Sequence, residues 1–317
     1  MTELTDSDLE QLRGRAFAIA YRMLGSVGDA EDVAQEALIR LHAATEAGES
    51  IDSPAAFVAT IATRLAIDEL RSARARRESY FGDWLPEPLP TAGPEARPAG
   101  AEEFPDPAAR AELADSLSLA FLVLLEQLTP EQRASLLLHD VFGYSHEEVA
   151  EVIGKSAASS RQLASRARRQ LDEQRPRFAS SAERQRELAG RFFDAVEEGE
   201  LSGLESLLAD DVVLRGDGGG KVPALARALH GRSRAARALR NWGKVGKRVL
   251  EASFDRVELN GQPGAILRLA DGSVIGAIVI ETDGERITAI NSIVNPEKIG
   301  HLGEVGDYAG LLRKAKR

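Results

Sequence analysis

Apolar residues recur at helical spacing through residues 1–79 and again through 112–178, and give way to alternation after Leu250. In the first block Phe17, Ile19, Ala20, Met23 and Leu24 outline one buried face, and Gly25 and Gly28 mark a turn before Asp29. The next helix sets Ala30, Val33, Ala34, Ala37, Leu38 and Leu41 against Asp29, Glu31, Asp32, Gln35 and Glu36, so its outer face is acidic and amide-rich. After a loop containing Gly48, Ser50, Asp52, Ser53 and Pro54, a long helix from Ala55 ends in the basic run Arg71, Arg74, Arg76 and Arg77.

In the second block Thr129 suits an N-cap, Pro130 the first helical position and Gln132 the reciprocal capping position, predicting a helix to about Val141 that Gly143 ends. Ser145 and Glu148 form a capping box for a short helix with the stripe Val149, Ala150 and Ile153, which Gly154 stops. A third helix runs from Ala157 to Leu171. This is a helix-turn-helix pattern. Between Lys155 and Gln170 the chain holds Lys155, Arg161, Arg166, Arg168 and Arg169 and no acid, so the last helix can enter a major groove. Ser160, Leu163, Ala164 and Ala167 should face inward, leaving Arg161, Gln162, Ser165, Arg166 and Arg169 outward; Arg and Gln can pair bidentately with base edges. Lys155 and Ser160 stand where such motifs usually bury an aliphatic residue, which predicts a looser turn.

Residues 80–111 have another texture. Pro86, Pro88, Pro90, Pro94, Pro98, Pro105 and Pro107 fall here, and Asp83, Glu87, Glu95, Glu102, Glu103 and Asp106 face only Arg97 and Arg110, which reads as an extended acidic tether. Tyr80, Phe81, Trp84 and Leu85 are too apolar for a mere tether and suggest a docking segment. The block 182–317 begins with helices at 183–198 and 201–208. Strands follow near 250–259, 263–269, 273–282 and 286–293, with hairpin turns at Asp271-Gly272 and Asp283-Gly284. Helices followed by an antiparallel meander imply an α+β cone.

Composition narrows the chemistry. The 317 residues include no cysteine, which removes disulfides, thiolate metal ligands and a thiol nucleophile. The N-terminus lacks a signal-like apolar region and no apolar run is long enough to span a bilayer, so the expectation is a cytoplasmic protein with no membrane partner. A net charge of -10 argues against a general polyanion binder and confines nucleic-acid contact to local basic stretches.

The pairing of DAEDVAQEALIRL with FVATIATRLAIDELRSARARR, followed by the helix-turn-helix, resembles regions 2 and 4 of a bacterial RNA polymerase sigma factor of the extracytoplasmic-function group. The motifs WLPEPLP at 84–90, DGGGK at 217–221 and NPEKI at 295–299 extend the resemblance to the subgroup with a fused C-terminal SnoaL-like domain of the NTF2-like superfamily. In that subgroup the last motif more often carries aspartate and leucine where this chain has Glu297 and Ile299. The resemblance implies two all-α sigma domains, region 2 at 1–79 and the region 4 helix-turn-helix at 112–178, and an α+β NTF2-like cone at 182–317.

It also implies roles. Asp29, Asp32, Gln35 and Glu36 would dock on the β′ clamp helices of the polymerase core, with the β flap as a further core contact. Arg64, Arg71, Arg74, Arg76 and Arg77 would bear on the -10 element, where opening the duplex needs unstacking and capture of a base. The outward residues of the helix-turn-helix would read the -35 element. The cone would stand in for a separate anti-sigma partner and regulate the sigma domains in cis through Trp84, Leu85, Pro86, Asp217, Gly218, Gly219, Gly220, Lys221, Asn295, Pro296, Glu297 and Lys298.

Beside this, Arg227, Arg232, Arg234, Arg237, Arg240, Lys244, Lys247 and Arg248 form a stretch without an acid. Arg237, Arg240 and Lys244 share a helical face, offered with 217–221 as a receiver for the Trp84 segment or its acidic neighbours. The amides of Gly218 to Gly220 could hold an anion or the acidic linker. Two other readings of the cone are a site for a small apolar ligand and an isomerase-type enzyme. For the enzyme Asp217, His230 and Asp255 are nominal bases, but no spacing specifies a catalytic site. His42, His139, His146 and His301 are scattered, so no metal or cofactor is expected.

Overall fold

The structure is a computed structural model that describes residues 4–78, 80–92, 96, 115–172, 181–246 and 250–315, with the side chains of 73–78, 172, 314 and 315 left aside. Two compact units emerge: residues 1–78 with 98–175, and residues 79–97 with 176–317.

The first unit is helical. Thr5 and Asp8 form a capping box that starts α1 (Asp6–Leu24), and Gly25 closes it in the left-handed conformation. Ser26 then caps α2 (Val27–Glu46), so Gly28 lies inside this helix and only Gly25 serves the predicted turn. Phe17, Ile19, Ala20, Met23 and Leu24 are all buried, and α3 (Pro54–Glu78) completes the layer.

After α4 (Leu119–Leu125), α5 spans Pro130–Leu136 with the Thr129–Gln132 capping box in place. It does not continue as an α-helix to Val141. Leu137–Val141 form a π-helical turn, in which the Phe142 amide reaches back to Leu137, and Gly143 follows at φ +74°. α6 (His146–Ile153) starts at Ser145 and ends at Gly154, and α7 spans Ala157–Asp172.

Two buried arginines join the halves of this unit. The Arg22 guanidinium of α1 donates to Ser116 Oγ at 2.7 Å and to Ala18 O, and lies over the Phe142 ring. Arg133 of α5 donates to Met23 O and Leu125 O at 2.5 Å each and pairs with Glu126 at 3.0 Å. Burial lowers the Arg22 pKa to about 9, since desolvation disfavours the charged form. The planar guanidinium fork suits such multiple contacts, and Met23 O is one of the carbonyls that the end of α1 leaves open.

The second unit is an α+β cone. Helices α8 (Ala182–Glu198), α9 (Leu201–Leu207) and α10 (Arg232–Val245) pack on a six-stranded sheet ordered β2-β1-β6-β5-β4-β3. The strands are β1 (Leu208–Asp217), β2 (Leu229–His230), β3 (Ser253–Leu259), β4 (Gln262–Arg268), β5 (Val274–Thr282) and β6 (Ile287–Ile293). β3 to β6 form the expected meander. β1 and β2 add to it, with β1 running parallel to β6. Phe192, Phe193, Leu214, Leu239, Ile278 and Ile290 belong to the core between helices and sheet. A final helix, α11, spans Tyr308–Ala315.

Candidate functional site: a nucleic-acid interface and a linker clasp

The acidic face of α2 forms as its periodicity dictates. Asp29, Asp32 and Gln35 are exposed over buried Ala30, Val33 and Ala37, and Glu36 is held by Arg40 one turn on at 2.8 Å. On α7, Arg161, Gln162, Ser165, Arg166 and Arg169 all point to solvent, while Ser160, Ala164 and Ala167 are buried. Arg161 is lightly tied to exposed Glu147 at 2.7 Å. Lys155 is exposed rather than inward, because Gly154 turns the chain before it. Buried Ser160 has a partner in His146 Nδ1 at 3.3 Å, and the His146 ring stacks on His139 with centroids 3.8 Å apart. The turn is therefore filled by polar side chains.

The basic end of α3 is differently engaged. Arg64 donates to the carbonyls of Val152 at 2.9 Å and Glu151 at 3.0 Å, the unsatisfied C-terminal carbonyls of α6. Arg71 pairs with Glu131 at 2.7 Å and Asp68 at 3.2 Å. In the chain without DNA, two of the residues expected on DNA thus hold the helix-turn-helix. The side chains of Arg74, Arg76 and Arg77 lie outside the described residues.

In the second unit, residues 80–92 are docked on the cone, whereas 93–95 and 97–114, with Pro94, Pro98, Pro105 and Pro107, lie outside the described residues. Leu85 and Leu89 are fully buried, each contributing about 1.5–3 kcal/mol as an upper bound, while Phe81 stays exposed. The centre of this clasp is Asp217 at the end of β1, a carboxylate with no exposure. It accepts from the Tyr80 hydroxyl at 2.5 Å, the Leu85 amide at 2.9 Å, the Gly219 amide at 3.1 Å and Lys298 Nζ at 2.7 Å. Lys298 also donates to Leu85 O at 2.5 Å, and its ammonium lies 4.9 Å from the Tyr80 ring centre and 4.2 Å from that of Trp84. Asn295 Nδ2 donates to Tyr80 Oη at 2.9 Å. Burial, followed by the bond to Asp217, raises the Tyr80 pKa and keeps the phenol a donor.

The three motifs read as separate in sequence therefore meet at one buried ion pair. Lys221 pairs with Glu297, tying the DGGGK and NPEKI segments together at the surface. The glycines serve close approach. A Cβ on Gly218 would stand 2.5 Å from Val222 O, and one on Gly219, at φ +58°, would stand 2.4 Å from the Asn295 amide. At this contact the polarity is the reverse of glycine amides holding an acidic linker: the cone supplies the Asp217 carboxylate, which the Gly219 amide also supports, and the linker supplies its Leu85 N–H. Arg237 is exposed, and neither it nor Arg240 makes a hydrogen bond or ion pair with residues 80–92 among the described residues; Arg240 Nε is buried without a hydrogen-bond partner. Lys247 and Arg248 lie outside the described residues.

Several clasp contacts have weak sequence signals. Asn260 Oδ1 accepts the Leu89 amide at 2.9 Å and its own amide donates to Leu89 O at 2.7 Å, at an Asn-Gly turn whose composition announces only a hairpin. His301 Nε2 donates to Pro88 O at 2.6 Å. Pro90 bridges Leu259 antiparallel, and Thr91 binds Glu258 through both its amide and its hydroxyl.

Of the nominal bases, Asp217 is consumed by the clasp, Asp255 is exposed and pairs with Arg268, and His230 is exposed on β2. No group of metal-ligating side chains occurs among the described residues, and no described helix is long and apolar enough to cross a membrane.

Comparison with known proteins matches these elements. The sigma-70 region 2 model fits residues 9–76 and the sigma-70 region 4 model fits 118–171. The extracytoplasmic-function RNA polymerase sigma factor SigJ of Mycobacterium tuberculosis is 37% identical over 301 residues, 92% of each chain. A probable sigma factor of the same group from that organism, SigI, is 31% identical over 284 residues, covering 90% of this chain and 91% of SigI. The crystal structure of Mycobacterium tuberculosis SigJ superposes with a TM-score of 0.72 at 32% identity, over 94% of this chain and 99% of that one. The likeness runs through regions 2 and 4 and on through the cone, and the chain belongs to the extracytoplasmic-function sigma factors, which recognise promoters and initiate transcription with RNA polymerase.

Proposed function

We propose that this sigma factor is governed in cis by the clasp, with the C-terminal cone acting as a regulatory domain rather than an enzyme. The observation that carries the reading is the buried Asp217, which receives the Leu85 amide, the Tyr80 hydroxyl and the Lys298 ammonium together. Holding residues 80–91 removes twelve residues of free tether. At about 3.3 Å each, that shortens the reach between regions 2 and 4 by roughly 40 Å. The same resting form keeps Arg64 and Arg71 on the helix-turn-helix. Release of the segment lengthens the linker and frees region 4 to part from region 2.

In the working form, in the cytoplasm with the polymerase, Asp29, Asp32, Gln35 and Glu36 dock on the clamp helices of the core. Region 4 engages the β flap and sets Arg161, Gln162, Ser165, Arg166 and Arg169 against the -35 element. Arg64, Arg71, Arg74, Arg76 and Arg77 serve the -10 element. Charge complementarity on α2 speeds and orients docking, and the arginines supply the phosphate and base contacts.

The test is run-off transcription by the full chain carrying Asp217→Asn, with core binding measured in parallel. The substitution keeps the shape and removes the partner of Lys298. Higher initiation at unchanged core binding is expected. Unchanged initiation removes regulation through the clasp, and lost initiation with core binding intact makes the clasp a required positive element instead of a restraint.

A further inference from the structure

The cone encloses a cavity of about 540 Å³, within the range of small-molecule sites, between α10, α11 and the concave face of the sheet. Trp242, Phe254, Leu267, Ile278, Tyr308 and Leu312 give it an apolar wall. The polar groups among its described lining are hydroxyls, the Trp242 N–H, backbone, and the Glu197 carboxylate, which Arg256 approaches at 3.8 Å. No described lining residue is a cation. Among the described lining residues an anionic ligand would meet no counter-charge and would face Glu197, while a neutral apolar one loses little on leaving water.

The loop 216–225 connects this cavity to the clasp. Gly216, Pro223, Ala224 and Leu225 line the cavity. The same loop begins at Asp217 and meets the linker on its other side: a Cβ on Gly220 would stand 3.2 Å from Phe81, and one on Gly82 would stand 3.5 Å from Leu225 O. Gly216 is as tightly set: a Cβ there would stand 3.0 Å from the Leu225 amide nitrogen. So little space separates the two sides that a molecule pressing on Pro223 to Leu225 must move the backbone that carries Asp217.

We propose that the cavity is a binding site for a neutral, largely apolar small molecule bearing a carbonyl or hydroxyl, and that its occupancy is transmitted through loop 216–225 to the linker clasp. The transmission rests on the regulatory reading above; the binding does not.

Nile red, a neutral apolar fluorophore, serves as the probe with the full chain. Saturable binding near one molecule per chain is expected, with blue-shifted emission. Ala252→Trp and Val245→Trp fill the cavity away from loop 216–225 and should weaken binding about tenfold or more, equivalent to about 1.4 kcal/mol. Circular dichroism identifies which variant keeps the native spectrum, and that variant decides. Binding that never saturates, or that a folded, filled variant retains, overturns the site.

The chain has two tryptophans, Trp84 in the clasp and Trp242 in the cavity wall. Trp242→Phe therefore leaves Trp84 as the reporter, and its emission should shift as Nile red saturates. Saturable binding with Trp84 emission unmoved overturns the transmission. Failure of the clasp itself as a regulator would appear separately, as unchanged initiation by the Asp217→Asn chain.

Discussion

The two units close on themselves by opposite chemistry. In the helical unit, arginines reach across mainly to neutral groups: Arg133 to the carbonyls of Met23 and Leu125, Arg64 to those of Glu151 and Val152, and Arg22 to the Ser116 hydroxyl. In the cone unit a carboxylate and a lysine reach to backbone, with Asp217 taking the Leu85 amide and Lys298 giving to its carbonyl. Arg64 and Arg71 spread the closure over groups that remain partly in water, so each bond is worth little and can be exchanged for phosphate. The clasp concentrates opposite charges in a site with almost no exposure, where loss of one partner strands the other. The first closure suits a surface that must be given up to DNA, the second a lock with one decisive contact.

The largest effect should come from the lock. Lys298→Met leaves Asp217 charged and buried, and should cost the cone unit about 3–5 kcal/mol, read as a lower urea midpoint. Combining it with Asp217→Asn should restore part of that loss. A midpoint equal to the parent's in the single variant would show that the pair is not a lock. The smaller closure is tested by Arg64→Ala, which removes two bonds from a charged donor to helix-end carbonyls and should destabilise the helical unit by about 1 kcal/mol. A loss as large as that of Lys298→Met would erase the contrast between the units.

Least in size is a pH effect on the helix-turn-helix. Burial, then the charges of His139, Arg161 and Arg168, lowers the His146 pKa below its ordinary 6.5, with Glu147 opposing. The fold thus binds this proton less readily than the unfolded chain. The helical unit should hold its full stability above about pH 6.5 and lose some as the pH falls through the lowered value. His146→Asn should flatten that slope in thermal unfolding followed from pH 7.5 to 5.

How far the sequence foretold this structure differs between the same two units. The helix-turn-helix was legible because its signals are local: Thr129 with Gln132, Ser145 with Glu148 and Gly154 each act within one turn. The π-helical turn at Leu137–Val141 was not, since it differs from a helix by one hydrogen-bond step. The buried arginines were not either, because most of their partners are carbonyls that every residue carries, and the Ser116 hydroxyl lies 94 positions from Arg22. In the cone the turn residues Asp271-Gly272 and Asp283-Gly284 announced the meander, but β1 pairs parallel with β6, without a turn to mark it. The motif residues of the clasp could be named in advance, while their pairing could not: Leu85 and Asp217 are 132 positions apart. Arg237 and Arg240 drew attention by charge, whereas the linker is held largely through its backbone.

The alternating prolines of the clasped segment bear on self-association. β3 is the outer strand of the sheet, and such strands offer unpaired backbone to other chains. Pro90 lies against Leu259 at its end, and Pro86, Pro88 and Pro90 carry no N–H with which another strand could pair. The segment therefore guards the edge that it occupies. Opening the clasp would uncover that edge together with Leu85 and Leu89, so the released factor should be the more adhesive form until the polymerase takes it up.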